Sequence, residues 1–185
     1  YGADIIMRIL GDMHRVLGAA SYSSLGLGAS AKTTEVRVNA AEALASLADR
    51  GMVDTALFAK ELYWLLDQHH VMAQRIEQTF RDAASISPLA GWRIMQVLEG
   101  ILPVVGEVNR GGALVQFLVQ LAGEHGVSIE IPEALQPKMK GSTVLAKSLR
   151  ALEKLQPHPT ELAEQARNQA REIVTKNGAG HAEKL

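Results

Sequence analysis

The chain has no cysteine among its 185 residues. That absence removes disulfides, thiolate metal ligands and a thiol nucleophile from the chemistry available. Aromatic residues are scarce at 4%, while Ala and Leu are abundant; this is the composition of packed helices rather than of sheets. An excess of either charge is also missing: 19 Lys and Arg face 20 Asp and Glu, for a net charge of -1. A near-neutral chain exerts no general pull on nucleic acid or an anionic membrane. No apolar run reaches membrane-spanning length, since "GILPVVGEV" is short and carries Pro103. No signal peptide is visible and the first residue is Tyr1 rather than Met. The expectation is a piece of a longer protein in a cytoplasmic setting.

Hydrophobic residues make up 47% of the chain, which argues against disorder over most of it. The length suits one domain or a short run of stacked repeats. Apolar residues recur at helical spacing in successive segments. A first helix is expected over Ile5 to Leu17, followed by a small-residue loop from Gly18 to about Thr34. A second spans Glu35 to Arg50 and stops at Gly51; Asp54 then caps a third, with Phe58, Leu62, Leu65 and Leu66 inward. After His69-His70 comes a helix with Met72, Ile76, Phe80 and Ala83 on one face. Ser87-Pro88, a cap followed by proline at the first helical position, restarts the chain as a helix carrying Trp92, Met95, Leu98 and Leu102; Pro103 bends or ends it. Gly111-Gly112 breaks the chain, and the helix with Leu114, Phe117, Leu118 and Leu121 closes near Gly126. "VSIEIPEALQPKMKG" is a connector with room for a short turn at Glu133 to Met139. Ser142 is expected to cap a helix with Val144, Leu145, Leu149 and Leu152 inward. After Pro157-His158-Pro159 a last helix runs to about Lys176, with Leu162, Ala166 and Ile173 inward, and a fraying tail follows. "TTEVRV" and "VSIEI" are the only strand-like stretches, and neither has an evident partner.

Several motifs invite chemistry. Gly26 to Thr33 is one residue short of a phosphate-binding loop: Lys32 and Thr33 have the right types, but Ala31 stands where a glycine should be. A buried strand should precede such a loop and a parallel sheet should surround it; "LGAASYSS" is small and polar, and the chain has no strands to build the sheet. "LYWLLD", ending at Asp67, imitates the acidic strand end of a nucleotide site but falls inside a helical period. His69-His70 suggests a metal, yet neighbours on a helix point about 100° apart. Histidines at helix ends suit capping of free carbonyls, and His14, His125, His158 and His181 are scattered in that way or in the tail. No nucleophile elbow occurs, and Glu61, Glu77 and Asp82 read as exposed helix faces. Lys147, Arg150 and Lys154 share a helix face, with Lys138 and Lys140 upstream, and form a candidate basic stripe. Of the two tryptophans, Trp92 reads as core and Trp64 as a candidate partner contact beside its leucine stripe.

From Glu35 to Leu155 the order of features resembles the C-terminal part of an uncharacterised bacterial family with HEAT-like repeats. The residues that carry the resemblance are "RGMVD" between paired helices, Trp92 followed by Leu102-Pro103, and Pro132 with Lys140-Gly141-Ser142 leading into "LAKSLRAL". These are packing and turn signatures. Members are encoded beside MoxR-type AAA+ ATPases, von Willebrand A-domain proteins and SWIM zinc-finger proteins. The resemblance implies a scaffold or adaptor in such a system, and it implies no catalytic residues.

The expected fold is therefore all-α: a HEAT-like α-solenoid of stacked antiparallel helix pairs, with a compact helical bundle as the alternative. The divisions are 1–34 (helix and loop), 35–156 (repeat core), 157–176 (last helix) and 177–185 (tail). The expected function is non-catalytic protein–protein interaction with no cofactor and no metal. The partner would be an AAA+ ATPase or a von Willebrand A-domain protein, met by Trp64, Lys147, Arg150 and Lys154. The alternatives are a nucleotide-binding module using 26–33 and weak nucleic-acid binding through the basic helix face.

Overall fold

A computed structural model describes residues 70–182 and, ahead of them, Ala59 and Tyr63. All regular structure among them is helical. In chain order it comprises α1 (His70–Ala84), α2 (Pro88–Ile101), a 3-10 turn (Leu102–Val104), α3 (Gly111–His125), a 3-10 segment (Glu133–Met139), α4 (Val144–Glu153) and α5 (Glu161–Ala182). No strand occurs among the described residues, and "VSIEI" is irregular. The helices expected over Ile5 to Leu17 and Glu35 to Arg50, the loop between them, and "TTEVRV" lie outside the described residues, as do most positions of the third. Ala59 and Tyr63 of that third helix are helical. Ala59 belongs to the core, and the Tyr63 hydroxyl donates to Glu107 Oε2 at 3.2 Å.

The start of α2 shows why the chain turns here. A helix leaves its first four N–H groups without intrahelical partners. Pro88 has none to satisfy. Leu89 N–H donates to Gln169 Oε1 (3.1 Å), Ala90 N–H to Ser87 Oγ (3.0 Å) and Gly91 N–H to Ser87 O (3.1 Å). The serine–proline pair does locally what its chemistry requires, while the Leu89 partner comes from α5, 80 residues away. Gln169→Ala is expected to cost about 1 kcal/mol, because it leaves one buried donor unmatched. A urea midpoint equal to that of the parent chain would remove Gln169 from this role.

At the other end, α2 stops at Ile101 and Pro103 lies in the following 3-10 turn, as its missing N–H dictates. The chain enters α3 through Arg110, whose φ of 59° is the only positive value among the described non-glycine residues. Gly111-Gly112 is thus the first turn of α3, not a break ahead of it. The connector holds a 3-10 segment over Glu133–Met139, the span expected from its prolines. Thr143, not Ser142, caps α4: its hydroxyl accepts from Ala146 N–H at 3.1 Å. This one-residue shift turns Val144 outward, to 58% exposure, while Leu149 and Leu152 are fully buried. The helical backbone of α5 runs to Ala182, past the boundary expected at Lys176.

The core lies between α2 and α3. Leu98 and Ile101 of α2 meet Leu114 and Leu118 of α3, with Leu149 of α4 closing the far side. On α1, Phe80 and Ala83 are buried as expected; the side chains of Met72 and Ile76 are outside the described ones. Helix α1 packs on α2, α2 on α3, and α3 makes its broadest contact with α4. Helix α5 then returns to rest on α2 and α3. That return places the start of α5 beside the end of α3, where a cleft forms.

Glu77 departs from the expected exposed face. It is 6% exposed and accepts from Arg81 Nε at 3.1 Å and from Arg110 Nε at 2.7 Å. The i,i+4 pair with Arg81 exists, but the second arginine comes from the loop before α3 and draws the carboxylate inward.

Candidate binding cleft

Helix α3 ends at His125, and Gly126 takes up the left-handed conformation at φ 65°. Gly126 N–H donates to Gly123 O (3.2 Å) and Val127 N–H to Ala122 O (3.0 Å), the paired pattern of a glycine-terminated helix. The Pro157-His158-Pro159 link then crosses this terminus. His158 N–H donates to Gly126 O at 2.9 Å, and Thr160 caps α5 by accepting from Ala163 N–H at 3.2 Å. Between these elements lies a cleft of about 340 Å³. Trp92, His125, Val127, Pro157, Pro159 and Arg167 are among the residues that line it.

His125 forms the inner wall. It is 2% exposed, and its ring meets the edge of Trp92 with centroids 5.4 Å apart and planes at 76°. Neither ring nitrogen has a hydrogen-bond partner. Gly91, inside α2, allows this close fit: a Cβ there would stand 3.2 Å from His125 Nε2 and 3.2 Å from Ala84 O. The expected role of His125 as a cap for free carbonyls is therefore corrected. The ring turns away from its own helix end and packs under α2, because the aromatic edge of Trp92 offers a larger apolar contact.

Burial holds the His125 pKa below its ordinary value of 6.5, against a smaller opposing pull from Glu124. The neutral ring is thus the folded form. Between its lowered folded pKa and 6.5, the unfolded chain binds the proton more readily. The stability from this group is complete above pH 6.5 and drains away as pH falls toward the folded pKa. Replacing the ring by leucine removes an unmatched polar group and its titration. His125→Leu is expected to hold or raise Tm at pH 7.5 and to flatten the loss of Tm on going to pH 5.5. A variant with the same acid sensitivity as the parent would place the effect on other groups.

The other residues singled out by sequence are not in this cleft. Lys147 and Arg150 lie on α4 and Lys154 directly follows its last residue; both lysines are exposed. Arg150 is partly buried; its guanidinium donates to Met139 O and to Gly141 O, and so pins the connector to α4. Trp64, the candidate loop with Lys32 and Thr33, Asp67, Glu61, His14 and His69 lie outside the described residues, as do the side chains of His70 and His181. Among the described residues no three His, Asp or Glu side chains gather as a metal site would require. No described helix is long and apolar enough to cross a membrane.

Sequence reasoning missed the cleft itself. Its signals were present but separate: a histidine just before a terminating glycine, a proline–histidine–proline link, and an arginine in the second turn of the last helix. Only the return of α5 makes them neighbours. Thr160 is the one hydroxyl side chain in the lining, and it serves as a helix cap. The lining holds no carboxylate, so it supplies neither a nucleophile–base pair nor paired acids. Its means are an aromatic wall, two imidazoles and a guanidinium.

No protein-family model, curated protein or solved structure matches the chain.

Proposed function

We propose that this chain is a non-catalytic helical scaffold or adaptor module of a larger bacterial protein, and that it acts by binding a protein partner. The observation that carries the reading is the Trp92–His125 cleft, which offers contact chemistry without reactive groups. An amphipathic aromatic at the rim of a preformed recess is what partner surfaces use as an anchor. In architecture, contacts between successive helices from α1 to α4 are compatible with HEAT-like stacking, while the return of α5 to α2 and α3 favours the compact bundle. The proposed partner class remains an AAA+ ATPase or a von Willebrand A-domain protein.

The test is affinity capture from source-cell lysate with the full chain as bait, with and without ATP, followed by crosslinking. Enrichment of one of those partners, with crosslinks on the rim of the cleft or on the exposed face of α4, is the expected result. A blank under both conditions would sink the adaptor reading. Nucleic-acid binding through α4 is weaker, because two backbone carbonyls already engage Arg150 and leave two lysines. The expected result on immobilised DNA and RNA at low salt is no retention. Retention that is lost in Lys147→Glu/Lys154→Glu would reverse that ranking.

A further inference from the structure

We propose that the cleft between the end of α3 and the start of α5 binds a small organic carboxylate with an apolar body, its carboxylate on Arg167 and its body against Trp92.

The sign of the charge comes first. Arg167 lines the cleft and makes no hydrogen bond or ion pair with the described residues. No lining residue is acidic. The nearest acid along α3, Glu124, is exposed and held by Gln120, whose Nε2 donates to Glu124 Oε1 at 2.9 Å. The guanidinium therefore stands beside the recess with its fork of donors unused, the geometry that a carboxylate matches with two parallel hydrogen bonds. His158 adds a second nitrogenous group at the rim; its Nδ1 lies 3.2 Å from Gln156 O.

The apolar walls specify the rest. Trp92, Val127, Pro157 and Pro159 supply apolar lining to the recess. Two prolines fix the backbone of one wall, so little order is lost when a ligand enters. The volume of about 340 Å³ is near the lower end for small-molecule sites. It accommodates one ring or branched chain with its carboxylate. This site does not rest on the adaptor reading, since capture of a partner and binding of a small acid are read by separate experiments.

The experiment is a titration of the full ¹⁵N-labelled chain with phenylacetate and, in parallel, with phenylacetamide, which has the same shape but no charge. Phenylacetate should give saturable shifts at the backbone amides of Gly126, Val127 and Thr160 and at the Trp92 indole. Phenylacetamide should bind at least about fivefold more weakly, the loss expected when a charge-assisted pair becomes a neutral one. Arg167→Gln, a change at an exposed position that leaves the fold intact, should erase the preference for the acid. Lys176→Gln, at another exposed position of α5, should leave it unchanged. Absence of shifts at those amides, equal binding of acid and amide, or an acid preference that survives Arg167→Gln would each overturn the assignment.

Discussion

Gly126→Ala is expected to lower stability by about 3 kcal/mol or more, the sum of a left-handed backbone penalty, a steric collision and a lost hydrogen bond. Gly126 sits at φ 65°, where an L side chain is strained. A Cβ there would overlap the carbonyl of His158 and stand 2.9 Å from Thr160 Cγ2. Both obstacles belong to the link that crosses the end of α3. Relief of the collision would push that link outward and break the bond from His158 N–H to Gly126 O. Urea denaturation of the parent and variant chains measures the loss directly. Asparagine separates the two causes: it tolerates the left-handed conformation but carries the same Cβ. Gly126→Asn is expected to be nearly as damaging as Gly126→Ala. Restoration of stability by asparagine would show that backbone conformation alone matters and that the link yields easily.

The second large effect is expected at Glu77. Glu77→Gln keeps the shape but leaves Arg81 and Arg110 without their carboxylate. Hydrogen bonds to charged groups contribute about 1.5–3 kcal/mol when buried. Here the arginine side chains keep 29% and 40% of their exposure, so water recovers part of the loss. An overall cost of about 2 kcal/mol follows. The substitution reaches further than one pair. Arg81 also lies over the Phe117 ring at 4.4 Å and donates to Gln120, while Arg110 is itself the left-handed residue from which α3 begins. Glu77 thus ties α1 to the residue from which α3 begins. A double-mutant cycle between Glu77→Gln and Arg110→Ala should show coupling of about 1 kcal/mol. Additive losses, or a Glu77→Gln variant within a few tenths of a kcal/mol of the parent, would return this glutamate to the role of an ordinary surface acid.

The contrast between these two residues shows what a one-dimensional reading captures. Gly126 was legible: a glycine after the last residue of an apolar helical period marks a helix end whatever surrounds it. Glu77 was not. Its visible partner, Arg81, stands four residues away, the usual spacing of a solvated pair, and the residue that buries it lies 33 positions along the chain. The cap of α4 failed by one place for a related reason. Ser142 and Thr143 have the same chemistry, and the choice fell to the register that puts Leu149 and Leu152 in the core.

The all-helical character of the described residues, the restart at Ser87-Pro88, the end of α2 near Pro103, the end of α3 and the short turn in the connector were determined by sequence alone. Each depends on a group and its neighbours within one or two turns: a missing N–H, a hydroxyl that reaches a free donor, a residue without Cβ. The tertiary structure decided the rest. It chose which histidine lost its hydrogen bonds, which arginine became a backbone clamp, which glutamine completed the start of a distant helix, and where a cleft opened. The cleft and the Gln169 contact follow from the return of α5 onto α2 and α3, the histidine and the clamp from the packing of α3 under α2 and of the connector on α4; such contacts depend on the fit of whole faces, which no local spacing encodes.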